Sequence, residues 1–136
     1  VYRFGFGVNG SIVILEPKNF KQRMGDRVVE RFCLRLKLHK VKGTVVQHNA
    51  LLAREVKGKL VQGYVLCEKQ ACWHCWVEKD GERLDVTHGM SLPVEYVQEI
   101  PDGYTEMKHA NIILNKLQYE LYENDPKEFW KECPKF

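Results

Sequence analysis

The stretch that decides the fold is WHCWVEKDGERLDVT, Trp73 to Thr87. Asp80-Gly81 at its centre is among the best two-residue hairpin loops, because both residues tolerate the positive φ of a type I′ turn. With those two as the loop, Lys79 faces Glu82, Glu78 faces Arg83 and Val77 faces Leu84. Trp76 then faces Asp85, Cys75 faces Val86 and His74 faces Thr87. Side chains alternate across a strand. One face therefore carries Cys75, Val77, Leu84 and Val86, and the other carries His74, Trp76, Glu78, Arg83, Asp85 and Thr87. His74 and Asp85 become diagonal neighbours, about 7–8 Å apart at the backbone. In that position a carboxylate can orient an imidazole and stabilise its protonated form. The plainer alternative is the wet face of a hairpin, against which Trp76 argues, since a large aromatic there covers something. A three-residue loop with a bulge would change the register.

Outward from the hairpin, KLVQGYVLC (59–67) is rich in strand formers, and PVEYVQEI (93–100) reads as a further strand ended by Pro101-Asp102-Gly103. VNGSIVIL (8–15) reads as a short strand after a Gly-rich entry. Phe20, Met24, Val28, Phe32 and Leu36 recur every four residues, which predicts a helix to about residue 37. Thr44 is placed to cap a helix through VVQHNALLAREV that buries Val46, Ala50, Ala53 and Leu51. From Tyr104 onward MKHANIILNKLQYELY predicts a long helix packing through Ile112, Ile113, the Lys116 stem, Leu117 and Leu121. Asn124-Asp125-Pro126 breaks it, and a short helix with Phe129 and Trp130 follows. The order is helices, antiparallel sheet, helices, which is an α+β plan.

At 136 residues, 44% apolar and 29% charged, the chain has the composition of one soluble globular domain, 1–136. No apolar run reaches the roughly 20 residues needed to span a bilayer, so no membrane association is expected. Ile12–Leu15 is too short and wrongly flanked for a signal peptide. The chain begins at Val1 rather than Met, which leaves a preceding natural segment as an expectation. Five cysteines, an odd number, point to reduced thiols and a cytoplasmic setting. The net charge of +3 is divided unevenly: residues 1–66 carry +9 and residues 67–136 carry −6. Such a split marks either an anionic partner for the first half or two halves lying against each other.

HCWVEKDGERLDVT, His74 to Thr87, resembles the His-and-Asp hairpin of transglutaminase-like proteins, within the papain-like cysteine hydrolase group. HNALLAREVKGKLVQGYVL resembles the helix and strand before that hairpin, with Gly63 and Tyr64 in the strand. The resemblance covers about residues 43–88. It implies a small papain-like α+β domain, with His74 as general base and Asp85 as the group that orients it. In that family a nucleophilic cysteine opens the helix three residues before the Asn. Helix N-terminal amides favour a thiolate, and His takes the proton. Here that position is Val46, and a valine cannot attack a carbonyl. Cys33, Cys67 and Cys72 do not open a helix in this reading, and Thr44 lacks the stronger base arrangement a hydroxyl needs.

Three function classes follow. In the first, the chain is a non-catalytic relative that binds a protein partner or builds an assembly, and Trp76 shields the His–Asp pair. In the second, it is a cysteine hydrolase or acyltransferase using a thiol placed elsewhere. In the third, the row Arg23, Arg27, Arg31 and Arg35 contacts nucleic-acid phosphates. A solvated helix face is the plainer account of that row, since no aromatics interleave with it for base stacking. CEKQACWHC raises a zinc alternative through Cys67, Cys72 and Cys75, with His74 or His88. Cys72 and Cys75, three apart on a strand, point to opposite faces, which counts against it. No cofactor is expected.

Overall fold

The computed structural model describes residues 3–6, 12–15, 27–29, 31–32, 43–86 and 95–134. The first described strands, β1 (Arg3–Phe6) and β2 (Ile12–Leu15), form an antiparallel pair in which Phe4 faces Ile14. The expected strand over 8–15 is thus seen at its second half. Of the helix expected from Phe20 to about residue 37, Arg27, Val28, Val29, Arg31 and Phe32 are helical, with Val29 and Phe32 buried. The remainder of that segment, with Arg23, Cys33 and Arg35, lies outside the described residues, as do Thr87 and His88.

Helix α1 (Val45–Val56) starts where its chemistry says it should. The Thr44 hydroxyl accepts from Gln47 N at 3.1 Å, and Gln47 Oε1 accepts from Thr44 N at 2.9 Å. This reciprocal capping box satisfies two backbone donors that a helix start leaves free. Lys57, in the left-handed region at φ 57°, ends the helix, and Gly58 N donates to Ala53 O.

The main sheet is built from β3 (Lys59–Cys67), β4 (Gln70–Lys79), β5 (Glu82–Leu84), β6 (Glu95–Val97) and β7 (Thr105–Glu106). Its order is β5-β4-β3-β6, all antiparallel, and β7 runs parallel to the start of β4, at Gln70 and Ala71, on the edge that β5 occupies at the other end. The β4–β5 register pairs Val77 with Leu84, Glu78 with Arg83 and Lys79 with Glu82. Asp80 and Gly81 take φ of 51° and 76°, so the two-residue turn forms as its chemistry requires. The β3–β4 hairpin closes through Glu68 and Lys69, at φ 50° and 67°, without a glycine. Lys69 O is held by Thr105 N at 2.9 Å, and its Nζ lies 5.2 Å above the Tyr104 ring.

The C-terminal part departs from the expected helix over 104 onward. Thr105–Glu106 is strand β7, and helix α2 begins only at Ala110, capped by His109 Nδ1 accepting from Asn111 N at 3.2 Å. The backbone of Thr105 and Met107 donates to Lys69 O and Ala71 O, so a long-range ladder takes residues that local propensity would give to a helix. Helix α2 (Ala110–Asn124) buries Tyr119, whereas Ile113 and Leu117 are more than half exposed. Ile112 and Leu121 of the expected stripe do pack against the core, and Tyr119 centres the inner face in place of Ile113 and Leu117, with its ring edge-on to Trp73 at 5.8 Å and its hydroxyl donating to Leu60 O at 3.4 Å. Asp125 then caps helix α3 (Pro126–Glu132), which buries Phe129.

The result is an α+β arrangement. One sheet face presents Leu60, Trp73, Cys75, Val77 and Leu84 to α1, α2 and α3, forming one buried cluster with Val46, Leu52, Val86 and Phe129. The other face carries His74 and Trp76. Among the described residues, no helix is long and apolar enough to cross a membrane.

Candidate functional site

His74 and Asp85 meet. His74 Nε2 lies 2.7 Å from Asp85 Oδ2, with His74 side-chain exposure of 15% and Asp85 of 6%. Strand alternation puts His74 on the face away from the core, and Asp85 leaves the end of β5 on that same side. A carboxylate only accepts, so the bridging proton sits on Nε2. The hairpin's register thus delivers the diagonal pair expected from the sequence, closed to direct contact.

Two further residues hold the carboxylate. Tyr96, on β6, donates its hydroxyl to the same Asp85 Oδ2 at 2.7 Å. Asn49, fully buried on α1, donates from Nδ2 to Asp85 Oδ1 at 3.2 Å. Each oxygen of Asp85 is therefore engaged by a donor from a different element. These two residues were not among those singled out from the sequence. For Asn49 a signal existed: a carboxamide set among Val46, Ala50 and Ala53 on a buried face needs hydrogen-bond partners. For Tyr96 there was none, because its place depends on β6 pairing with β3.

Trp76 is buried and shares the face. Its ring centroid is 6.3 Å from that of His74, and its indole N–H donates to Glu78 at 3.3 Å. The Arg83 guanidinium lies 3.8 Å over the Tyr96 ring, a cation–π contact that closes the far side of the cluster.

No family model, curated protein or solved structure matches this chain.

Of the described thiols, Cys75 and Cys133 lie away from the pair, and Cys72, two residues before His74 on β4, shares its face. Cys75 is fully buried on the opposite sheet face from His74, and burial, with the Asp85 charge second, pushes its thiol well above the ordinary value. Cys133 follows α3, and burial raises its thiol to about 11. The half-buried Cys72 donates to Met107 Sδ at 3.5 Å. Cys72 and Cys75 point to opposite faces, and among the described residues no group of three His, Cys, Asp or Glu could hold a metal ion. The Cys67 side chain lies outside the described residues. Val46, at the position where the resemblance would put a nucleophile, is fully buried in the main apolar cluster. Of the arginine row, Arg27 and Arg31 are exposed on their helical segment.

His48 is a second buried imidazole. It is 0% exposed, and among the described residues neither ring nitrogen has a hydrogen-bond partner. Its Nε2 lies against Gly43, where an added Cβ would come within 2.7 Å. Burial lowers its pKa from the ordinary 6.5, so the ring is neutral at pH 7.

Proposed function

We propose that the chain is a non-catalytic transglutaminase-like domain with a papain-like plan, acting in binding or as a structural part of an assembly. The observation that carries this reading is a contrast. The His74–Asp85 pair is closed at 2.7 Å, while Val46 at the nucleophile position belongs to the apolar core. An imidazole fixed by a carboxylate is half of a thiol protease-like machine. The other half is a thiolate stabilised at a helix start, and α1 opens with Thr44, Val45 and Val46 instead.

Two of the three described thiols, Cys75 and Cys133, agree with this. Raising the pKa of Cys75 and Cys133 removes the thiolate that would attack at neutral pH. What the domain retains is a part-buried polar cluster in which His74 is held through Nε2, leaving Nδ1 for a hydrogen-bonding group of a partner.

Site-resolved alkylation of the native protein with iodoacetamide at neutral pH tests the reading. Slow labelling of all five cysteines, unaffected by His74→Ala, is the expected result. One cysteine labelled far faster than the others, and slowed by His74→Ala, would establish a thiol enzyme and overturn it.

A further inference from the structure

We infer that Asn49 is the positioning residue of the His74–Asp85 pair: its carboxamide replaces one rung of the β4–β5 ladder and thereby aims Asp85 at His74. The inference rests on taking that pair as the site.

The register makes the argument. Lys79 faces Glu82 and Val77 faces Leu84. Continuing two residues along each strand brings Cys75 opposite Val86. In an antiparallel ladder that pair would exchange backbone hydrogen bonds, as alternate pairs do. Here β5 stops at Leu84, and the bond from Val86 N to Cys75 O is not made directly. Asn49 stands between the two groups. Its Nδ2 donates to Cys75 O at 3.2 Å, and its Oδ1 accepts from Val86 N at 3.1 Å. A side-chain amide carries the same donor and acceptor as a peptide group. It can be spliced into a ladder with no buried backbone group left unpaired.

The splice has a consequence for Asp85. Inserting an amide between two strands holds them further apart than a direct rung would. The second Nδ2 hydrogen reaches Asp85 Oδ1 at 3.2 Å. With one oxygen pinned from α1, the other meets His74 Nε2 and the Tyr96 hydroxyl, each at 2.7 Å. Asn49 therefore fixes the carboxylate, and through it the His74 tautomer that bears its proton on Nε2. Without the carboxamide, Val86 N and Cys75 O are free to close directly, which draws the hairpin together and turns Asp85 off its line. The same side chain ties α1 to the hairpin, so the helix start and the imidazole keep one relative position.

A spectroscopic readout separates positioning from mere support. The His74 tautomer is read by long-range nitrogen–proton NMR in the wild type and in Asn49→Ala. The expected result is a single Nε2–H form in the wild type, and a substantial Nδ1–H population in Asn49→Ala with the rest of the spectrum folded. An unchanged Nε2–H form in folded Asn49→Ala would overturn the inference. Should Asn49→Ala fail to fold, the Asn49 side-chain amide protons in the wild type and in Asp85→Asn decide. Slow solvent exchange of both protons in the wild type, with a shift of one in Asp85→Asn, supports the inference, and fast exchange or no shift refutes it. These results are distinct from the alkylation test: a fast thiol would end the non-catalytic reading and leave the tautomer result standing.

Discussion

Trp76 stands edge-on to Tyr96, with ring centroids 5.0 Å apart and an interplanar angle of 89°. The indole reaches across β3 directly above Gly63, the residue that pairs with His74. A Cβ at Gly63 would come within 2.4 Å of Trp76 Cη2 and within 2.4 Å of Val97 O. The bare glycine leaves the indole room to reach over β3 beside the imidazole, with 6.3 Å between the ring centroids. Edge-to-face pairs of this kind add about 0.5–1.5 kcal/mol beyond the area they bury.

Gly63→Ala is accordingly expected to expel Trp76 or shift β6. Overpacking of this type costs about 1–3 kcal/mol, and one of the two close contacts is backbone, which yields less readily than a side chain. Chemical denaturation with tryptophan fluorescence should show lower stability and a red-shifted native spectrum. A variant with wild-type stability and fluorescence would mean that the indole does not rest on this glycine.

Tyr96→Phe keeps the ring edge-to-face with Trp76 and under Arg83 but deletes the hydroxyl that donates to Asp85. A hydrogen bond to a charged group is worth about 1.5–3 kcal/mol, and a loss of that order is expected in urea unfolding. Asp85 keeps its donors from Asn49 and His74, so the hairpin should survive. If Tyr96→Phe proves neutral, the hydroxyl contributes nothing to the carboxylate's solvation.

His48 makes stability depend on pH in a definite direction. Its folded pKa lies below the ordinary 6.5 because burial disfavours the charged ring. As pH falls below about 6.5, the unfolded chain takes up a proton that the folded chain refuses. The unfolded state then binds more protons, so stability falls with falling pH until the folded pKa is passed. Thermal melts between pH 7 and 5.5 should show wild-type Tm dropping more steeply than that of His48→Leu, which fills a similar volume without titrating. Parallel curves for the two proteins would show that His48 is solvated or paired in the folded state.

The parts of this fold that depend on local chemistry were legible in the sequence. Asp80-Gly81 dictated its turn and hence the register, and the register put His74 and Asp85 together. Thr44 and Gln47 marked the start of α1 because capping is a short-range exchange. Strand β7 was not legible, since Thr105–Glu106 carries no alternation and owes its conformation to backbone bonds with Lys69 and Ala71. The face of α2 was legible only in part, through Ile112 and Leu121, for a similar reason. Ile112, Ile113, Leu114 and Leu117 spread apolar character round the helix, and only the docking of Tyr119 on Trp73 decides which side turns inward. The same limit hid Tyr96 and the task of Asn49. Both act through residues distant in sequence: Asp85, and for Asn49 also Cys75 and Val86.

The central proposal is that the His74–Asp85 pair lacks a thiol because Val46 holds the position that the resemblance gives to the nucleophile. Restoring that thiol is the most direct test. Val46→Cys removes little volume from the core and is expected to fold. Ultraviolet absorbance reports thiolate without requiring a reagent to reach the buried position. A thiolate signal at neutral pH is expected in Val46→Cys and should disappear in Val46→Cys with His74→Ala. A thiol that stays protonated at neutral pH, or a thiolate indifferent to His74, would contradict the proposal.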